Sequence, residues 1–549
     1  METYFFGEAD NISQSSNNRI YSVYTDNYLN FNKQFNPRHT LNTSLGFRIQ
    51  ANTFQFDFGE AKNLPENDQY INLQSGKNEY RSIMGDIGAW NWLAAYNQIT
   101  YKFKDRYILN TGLSADFSSR VGKDANTSFQ ISGQPFGLFY SVGAGWRISE
   151  ESFLKQVQGL DNLMLRVSYG TTGNDDIGNY NSRFFYNEVR YRETSGLIPG
   201  SLSNTALKYE ESRQFNAGLD LSLRGDRTSF SINYYVLTSD NMLIFSPQKS
   251  YTGISYRPLN SGSIQNKGIE LIAFQRIVDN FAFKWDIVPV LSYLSNEVLS
   301  SNGEKLITSF EGGNFVTSPG NPINSFYGYQ FTGVFAGTED ASDADLVNAR
   351  GIPLGAGDAI YADFSGPDGN PDRVIDDYDK VVLGSPIPDF FGSITNSFKY
   401  RRWALDAVIQ FTSGNEIFNY VRYMNERMVD LSNQSDIALK RWQYEGHVTD
   451  VPRALYKDPV GNSNFSSRWI EDGSYIRLKY LTLSYNVPES FLVFKNAAFY
   501  VTATNLFTFS KYLGYDPEFA YSVDPMEQGI DYGLMPHFRQ LLAGIKFGL

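Results

Sequence analysis

Three histidines, His39, His447 and His537, are the only imidazoles in the 549-residue chain, and cysteine is absent. Their separations match none of the spacings that gather metal ligands. Gly143-Ala144-Gly145 lies inside an alternating stretch and not between a strand and a helix, so it is no phosphate loop. No nucleophile-elbow serine motif occurs. An enzyme has no residues to stand on, and the chain reads as a non-enzyme without catalytic residues or an organic cofactor. Oxygen side chains do gather between Asp368 and Asp379. Asp368, Asn370, Asp372, Asp376 and Asp379 occupy positions 1, 3, 5, 9 and 12 of a twelve-residue loop. Val374 offers its carbonyl at position 7, and Ile375 is apolar at position 8. Calcium loops wrap a hard cation in this order. Arg373 stands where such a loop wants glycine, and Asp379 replaces the bidentate glutamate with a shorter reach. The expectation is a structural Ca²⁺ held by these six residues. The alternative is a solvated acidic loop rich in turn formers.

A second chemical signal is aromatic. Tyr420, Tyr423, Trp442 and Tyr444 fall within 414–471, together with Tyr456 and Trp469. Their faces suit stacking on sugar rings or peptide side chains, which makes the first four candidate substrate contacts. They suit equally well the packing of a long loop on itself.

The elements that must carry these residues are strands. Tyr107, Leu109, Leu113, Ala115 and Phe117 share one face of 107–117, and Ile108, Asn110, Gly112, Ser114 and Asp116 the other. The same period of two runs through 217–223, 230–236, 405–411 and 541–549. Many alternating stretches cover ~9–13 residues, longer than the ~5–6 of soluble strands and suited to a tilted crossing of a bilayer. Connections alternate in length. Lys104-Asp105, Gly225-Asp226, Val278-Asp279-Asn280 and Tyr400-Arg401-Arg402 are short, whereas 119–134, 174–181, 244–263, 336–387, 414–471 and 511–537 are long. This is the organisation of an outer-membrane barrel, with about 16 strand candidates. Local helix is expected where Ser149 precedes Glu150, Glu151, Phe153, Leu154 and Val157, with Gly159 as its stop. It is also expected where Ile417, Val421, Met424 and Met428 keep helical spacing.

Composition agrees. Aromatics reach 16%, mostly 37 Tyr and 42 Phe, a load that needs an extended apolar surface and a water interface. Mean hydropathy is −0.36, and no apolar run approaches the ~18 residues of a spanning helix. A net charge of −12 without basic stripes argues against nucleic acid.

Several stretches resemble one family, the SusC-like (SusC/RagA) TonB-dependent outer-membrane transporters of Bacteroidetes. They are Val167-Ser-Tyr-Gly-Thr-Thr-Gly-Asn174-Asp, Asn266-Lys-Gly-Ile-Glu270, Ser325-Phe-Tyr-Gly-Tyr329 with Gly333-Val-Phe335, and Val382-Leu-Gly-Ser-Pro-Ile-Pro-Asp389-Phe. Further along come Asp472-Gly-Ser-Tyr475-Ile-Arg477-Leu, Asn505-Leu-Phe and Gly514-Tyr-Asp-Pro-Glu518. Together they span about residues 140–549 in the family's order. The resemblance implies an all-β, transmembrane antiparallel barrel of about 22 strands around an N-terminal plug. It also implies a SusD-like surface lipoprotein over the mouth, and import of glycans or peptides driven through the TonB complex. On this reading residues 1–549 are a partial barrel domain in the Gram-negative outer membrane, set in its lipid. No plug-like stretch, TonB-contacting segment or signal peptide is read in the chain, which starts Met1-Glu-Thr-Tyr, so the expectation is a start internal to a longer protein, with the first ~6 strands missing. The alternatives are a plug-less porin or surface adhesin barrel and, from another class, a soluble carbohydrate-active β-protein with paired carboxylates in a cleft.

Overall fold

The computed structural model describes residues 12–62, 73–75, 81–191, 194–200, 202–254, 256–301, 305–488, 495–519 and 527–548. Its main element is a 16-stranded sheet whose strand order is the chain order. The path takes in β1 (Ile12–Asn36), β2 (His39–Lys62), β3 (Ser82–Phe103), β4 (Tyr107–Ser118), β5 (Gln134–Arg147), β6 (Leu160–Asn174), β7 (Glu210–Leu223) and β8 (Thr228–Pro247). It continues through β9 (Tyr256–Asp279), β10 (Phe283–Ser301), β11 (Phe390–Tyr400), β12 (Trp403–Ser413), β13 (Tyr475–Asn486), β14 (Lys495–Ser510) and β15 (Gln540–Gly548). The short strand Phe129–Ile131 pairs beside β5, and β1 and β15 end the path. The chain divides into two compact units. One comprises Met1–Trp146, Val167–Phe215 and Ser239–Gly262, the other Arg147–Arg166, Asn216–Thr238 and Ser263–Leu549.

In the first unit, β1 to β5 form an antiparallel meander. Lys104 and Asp105 between β3 and β4 both take φ 53°, the left-handed pair that matches a hairpin turn to strand twist. Next to the turns, the register lines up His39, Phe103, Tyr107 and Trp146 across four strands. Aromatic residues at this level form the girdle of a membrane barrel. β1, β2 and β3 run 25, 24 and 22 residues, well beyond the expected length. Alternation is legible only where one face meets lipid. Ser13-Gln-Ser-Ser-Asn-Asn18 has none, yet it pairs residue for residue with Phe56–Ala61. Extended pairing likewise claims most of the expected loop 244–263, because β8 continues to Pro247 and β9 starts at Tyr256. Gly143-Ala144-Gly145 lies within β5.

In the second unit, β10 to β15 repeat the plan. Phe283, Tyr400, Trp403, Tyr485 and Phe499 stand in register beside the short turns. At the opposite strand ends, Phe411, Ile476 and Phe509 form another row, and Tyr293 meets Phe390 with ring centroids 5.0 Å apart. The ten steps from Phe390 to Tyr400, at about 3.4 Å each and a tilt of about 40°, span about 26 Å of membrane normal. An outer-membrane apolar band has about this height. Asn280 closes the β9–β10 turn by accepting the N–H groups of Ala282 and Phe283, and Arg401 takes φ 53° in the β11–β12 turn. Gly268, in the motif at 266–270, has the Tyr293 carbonyl and the Tyr235 ring where a Cβ would stand, so only glycine lets these strands close there.

Both helix expectations need correction. Residues 148–150 form one 3-10 turn, and the Ser149 hydroxyl caps nothing among the described residues. Gly159 does take a left-handed φ of 83°. Of the second set, Val421 and Met424 lie in a short helix, but Ile417 belongs to the strand Glu416–Asn419 and Met428 lies past the helix at φ 51°. Pairing of Glu416–Phe418 with Ile470–Asp472 overrides the helical period. Strand parity does not resolve from the sequence across 297–388, and this stretch holds a separate four-stranded sheet of Leu306–Phe310, Gly313–Thr317, Ser325–Gly328 and Val381–Gly384.

Ile409 lies mid-strand on the face of β12 that carries Leu405 and Phe411, between Ile394 and Leu478. Ile409→Arg is expected to destabilise the membrane-inserted chain by about 2–4 kcal/mol. Val408→Thr, on the opposite face, is expected to change stability by less than about 1 kcal/mol. Denaturant titration of the full chain refolded into lipid vesicles measures both.

Candidate functional site

Three long insertions leave the second unit's strands at the ends away from its short turns: 302–389 after β10, 414–474 after β12 and 511–539 after β14. They fold as one assembly. Phe315 and Phe326 from the first, Phe418, Phe465 and Trp469 from the second, and Ile530 from the third make a single buried cluster. A three-stranded sheet orders Ile470–Asp472, Glu416–Asn419 and Ile530–Asp531, tying the second insertion to the third. The Trp469 indole donates to the Asn464 carbonyl at 3.0 Å. Burying such a ring is worth several kcal/mol, since truncation of a core Trp costs about 3–5. The two helices here are α1 (Thr338–Ala344) and α2 (Tyr420–Glu426), the latter capped by the Asn419 side chain accepting from Arg422 N–H.

Charged groups fasten the assembly. Asp358 is fully buried and accepts both Nε and Nη2 of Arg453, at 2.7 and 2.8 Å, and the Asn462 amide at 3.0 Å. Arg477, the arginine of the motif at 472–478, has a side chain only 2% exposed. It binds Asp516 and Glu518 of the motif at 514–518, and its Nε donates to the Thr508 hydroxyl at 2.9 Å. Lys479 adds a second cation to Glu518, 2.7 Å away, and His537 Nδ1 lies 3.0 Å from Asp516. Two motifs some forty residues apart are therefore the halves of one ionic latch, which the sequence pattern alone did not pair.

The acidic loop turns sharply at a departure from the calcium-loop pattern. Arg373 takes φ 65° at the position where glycine is usual. Its oxygens, however, serve the loop's own backbone. Asp379 is fully buried and accepts N–H groups from Phe364, Ser365 and Asp376. Burial pushes its carboxyl above the usual carboxylate range against the pull of these donors. Asp372 accepts from Val374 N–H, Asp376 accepts from Tyr378 N–H, and the Asn370 amide reaches the Asp368 carbonyl at 3.5 Å. Among the described residues no three His, Asp or Glu side chains gather at metal-ligand spacing. Calcium at Asp368, Asn370, Asp372, Val374, Asp376 and Asp379 is a proposal that requires these caps to open.

The candidate aromatics do not share one surface. Tyr420 stacks on Tyr532 at 4.5 Å, and Tyr423 meets Phe418 and Trp469 edge-on. Both belong to the rim of the shared core. The Trp442 indole donates to the Ala336 carbonyl at 2.9 Å. Tyr444 is exposed and stacks on His447 at 4.8 Å. His39 lies 2.6 Å from the Tyr101 hydroxyl in the sheet.

Breaking the latch leaves the buried Asp516 carboxylate without its arginine, and the loss of one partner of a buried pair typically costs about 3–5 kcal/mol. Arg477→Ala is expected to make 511–537 sensitive to limited proteolysis while the sheet resists. Burial works to raise the Asp516 carboxyl, but the N–H groups of Glu518 and His537 and the Arg477 guanidinium outweigh it, so its pKa lies below the usual carboxylate range. A depressed carboxylate stabilises the fold above its unfolded value, about 3.9, and that stabilisation is lost as pH falls through the folded value. Protection of 511–537 in the unmodified chain is expected to hold from pH 7 to 5 and to fail only below about pH 4.

A family model for the TonB dependent receptor-like β-barrel matches residues 2–506. TonB-dependent receptor P3 of Formosa agariphila is 29% identical over 542 residues, which is 95% of this chain and 52% of that protein. TonB-dependent receptor SusC of Bacteroides thetaiotaomicron is 25% identical over 488 residues, 83% of this chain and 44% of that protein. The chain thus spans about half the length of the curated relatives it matches. Among solved structures, the RagAB peptide transporter aligns with TM-score 0.80 and 25% identity, covering 98% of this chain and 56% of that one. These matches bear out the SusC/RagA resemblance and the outer-membrane location. On the match of its strands to that barrel model from one end almost to the other, the chain belongs to the TonB-dependent receptor-like β-barrel family.

Proposed function

We propose that the chain is the barrel wall and loop assembly of a SusC/RagA-type importer. Its cargo is a glycan or peptide too large for passive pores. It works with a SusD-like surface lipoprotein, and it is energised by TonB through a part of the protein other than this chain. The observation that carries the reading is the core shared by the three insertions around Trp469 and Phe418. A porin mouth needs loops that leave a passage, whereas loops condensed on a common core make a receptor surface with fixed side-chain positions. The likeness to a transporter of peptides and to SusC supports an import role and leaves both cargo classes open. Nothing observed favours the plug-less porin or adhesin.

In cells carrying the complete gene, deletion is expected to abolish uptake of one labelled oligosaccharide or peptide class. Loss of TonB is expected to abolish the same uptake. A surface lipoprotein is expected to co-purify with the full-length protein. Uptake that persists without TonB would favour the porin reading.

A further inference from the structure

Helix α2 and the turn at 513–515 line an open cavity of about 320 Å³ in the second unit, at the lower end of the range of small-ligand sites. Arg422, Asn425 and Glu426 face it at three- and four-residue spacing from one side of the helix. Ser435, whose N–H donates to the Asn425 carbonyl at 3.1 Å, lines it beside the helix, and the exposed Leu513 and Tyr515 form the outer rim. The walls are braced before any ligand arrives. Glu471 accepts from Arg422 Nη1 at 3.1 Å and from Leu513 N–H at 2.9 Å, so one carboxylate ties the helix to the rim. The Tyr512 hydroxyl bonds Asp531, another lining residue, from the neighbouring position. A braced site loses little freedom on binding.

The chemistry of the lining is mixed, with Arg422 set against the carboxylates of Glu426 and Asp531. Arg422 uses Nε for Glu426 and Nη1 for Glu471 and the Arg468 carbonyl, and Glu426 uses Oε2 for Arg422. Nη2 and Oε1 have no hydrogen bond among the described residues, which leaves a donor and an acceptor on two bonded side chains that line the same cavity. The Ser435 hydroxyl is buried without a partner there, on a residue that lines the cavity. A hydroxyl both donates and accepts, so two adjacent hydroxyls on one ring satisfy such a pair together. The arginine is already neutralised by Glu426 and Glu471, which leaves no surplus cation for an anionic ligand. Tyr515 is 82% exposed at the rim, with a ring face open to the C–H face of a sugar. Side chains line the cavity, in place of the row of backbone groups to which an extended peptide adds as a strand.

We infer that this cavity binds one or two neutral sugar rings of the imported polymer, with Arg422, Asn425, Glu426 and Ser435 reading hydroxyls and Tyr515 stacking. The inference rests on the import reading and narrows its cargo to glycan at this site. The test uses the full-length protein in detergent, a panel of neutral oligosaccharides of glucan, xylan, mannan and galactan type, and a tryptic peptide mixture. Calorimetry is expected to find a neutral oligosaccharide that binds, with Tyr515→Ala and Ser435→Ala each weakening it tenfold or more. Tyr515→Trp is expected to restore affinity by restoring a ring, and Leu431→Ala, outside the cavity, to change nothing. Three results overturn the assignment: no neutral oligosaccharide binds, one binds equally well to the alanine variants, or peptides bind and the same variants weaken them. The import reading stands or falls separately on TonB-dependent uptake in cells. Peptide uptake with intact TonB dependence would preserve it while removing the sugar site.

Discussion

Hydrocarbon offers no hydrogen-bond partner to a peptide group, so every backbone N–H and C=O within the membrane must be satisfied by another strand. Most of what is observed follows from this. The sheet runs in chain order because the shortest way to pair a strand is to turn back beside it. The turns near one girdle shrink to the minimum, with Lys104, Asp105 and Arg401 accepting left-handed backbone to make them. Side chains then divide by face, and the aromatic rows from Phe283 to Phe499 and from Phe411 to Phe509 mark where lipid gives way to water.

Outside the lipid the constraint changes. The insertions have water on one side and must build their own interior. They do so with few residues, by pooling Phe315, Phe326, Phe418, Phe465, Trp469 and Ile530. Charge then does what a larger core would do elsewhere. Arg477–Asp516 is buried on both sides, Asp358–Arg453 on the carboxylate side, and each binds segments far apart in the chain. Such pairs contribute little net stability over apolar residues of the same shape, but they fix which loop meets which strand.

The sequence was most legible where the lipid imposes a period of two. The alternating faces of β4, β7, β12 and β15, the short turns and a count of about sixteen strands could all be read from it. Lengths were not legible, because pairing outlasts alternation in β1 to β3. The helical spacing of Ile417 and Met428 misled, since strand pairing with Ile470–Asp472 captured the first and a left-handed backbone at Met428 excluded the second. The acidic loop was legible as a segment rich in turn formers, with Arg373 standing out as a departure, yet the backbone there turns left-handed all the same. What its carboxylates hold was not, because backbone N–H groups compete for them and leave no trace in the pattern. Trp469 stood out as an aromatic, but its partners Phe315 and Ile530 lie more than sixty residues from it on either side, and no local spacing joins them. The cavity beside α2 was invisible for the same reason, as its walls come from separate insertions.

The pooled core also bears on how such proteins diversify. Surface loops on a barrel are ordinarily exchanged one at a time, since each is anchored only at its own strand ends. Here the second and third insertions share a sheet, and all three share an interior, so a replaced segment meets partners shaped for its predecessor. Recombination that keeps the set together preserves the packing, whereas transplanting one loop leaves a void where Ile530 or Phe315 stood. New specificity is then reached by point changes at rim positions such as Leu513 and Tyr515, which are exposed and carry none of the shared packing.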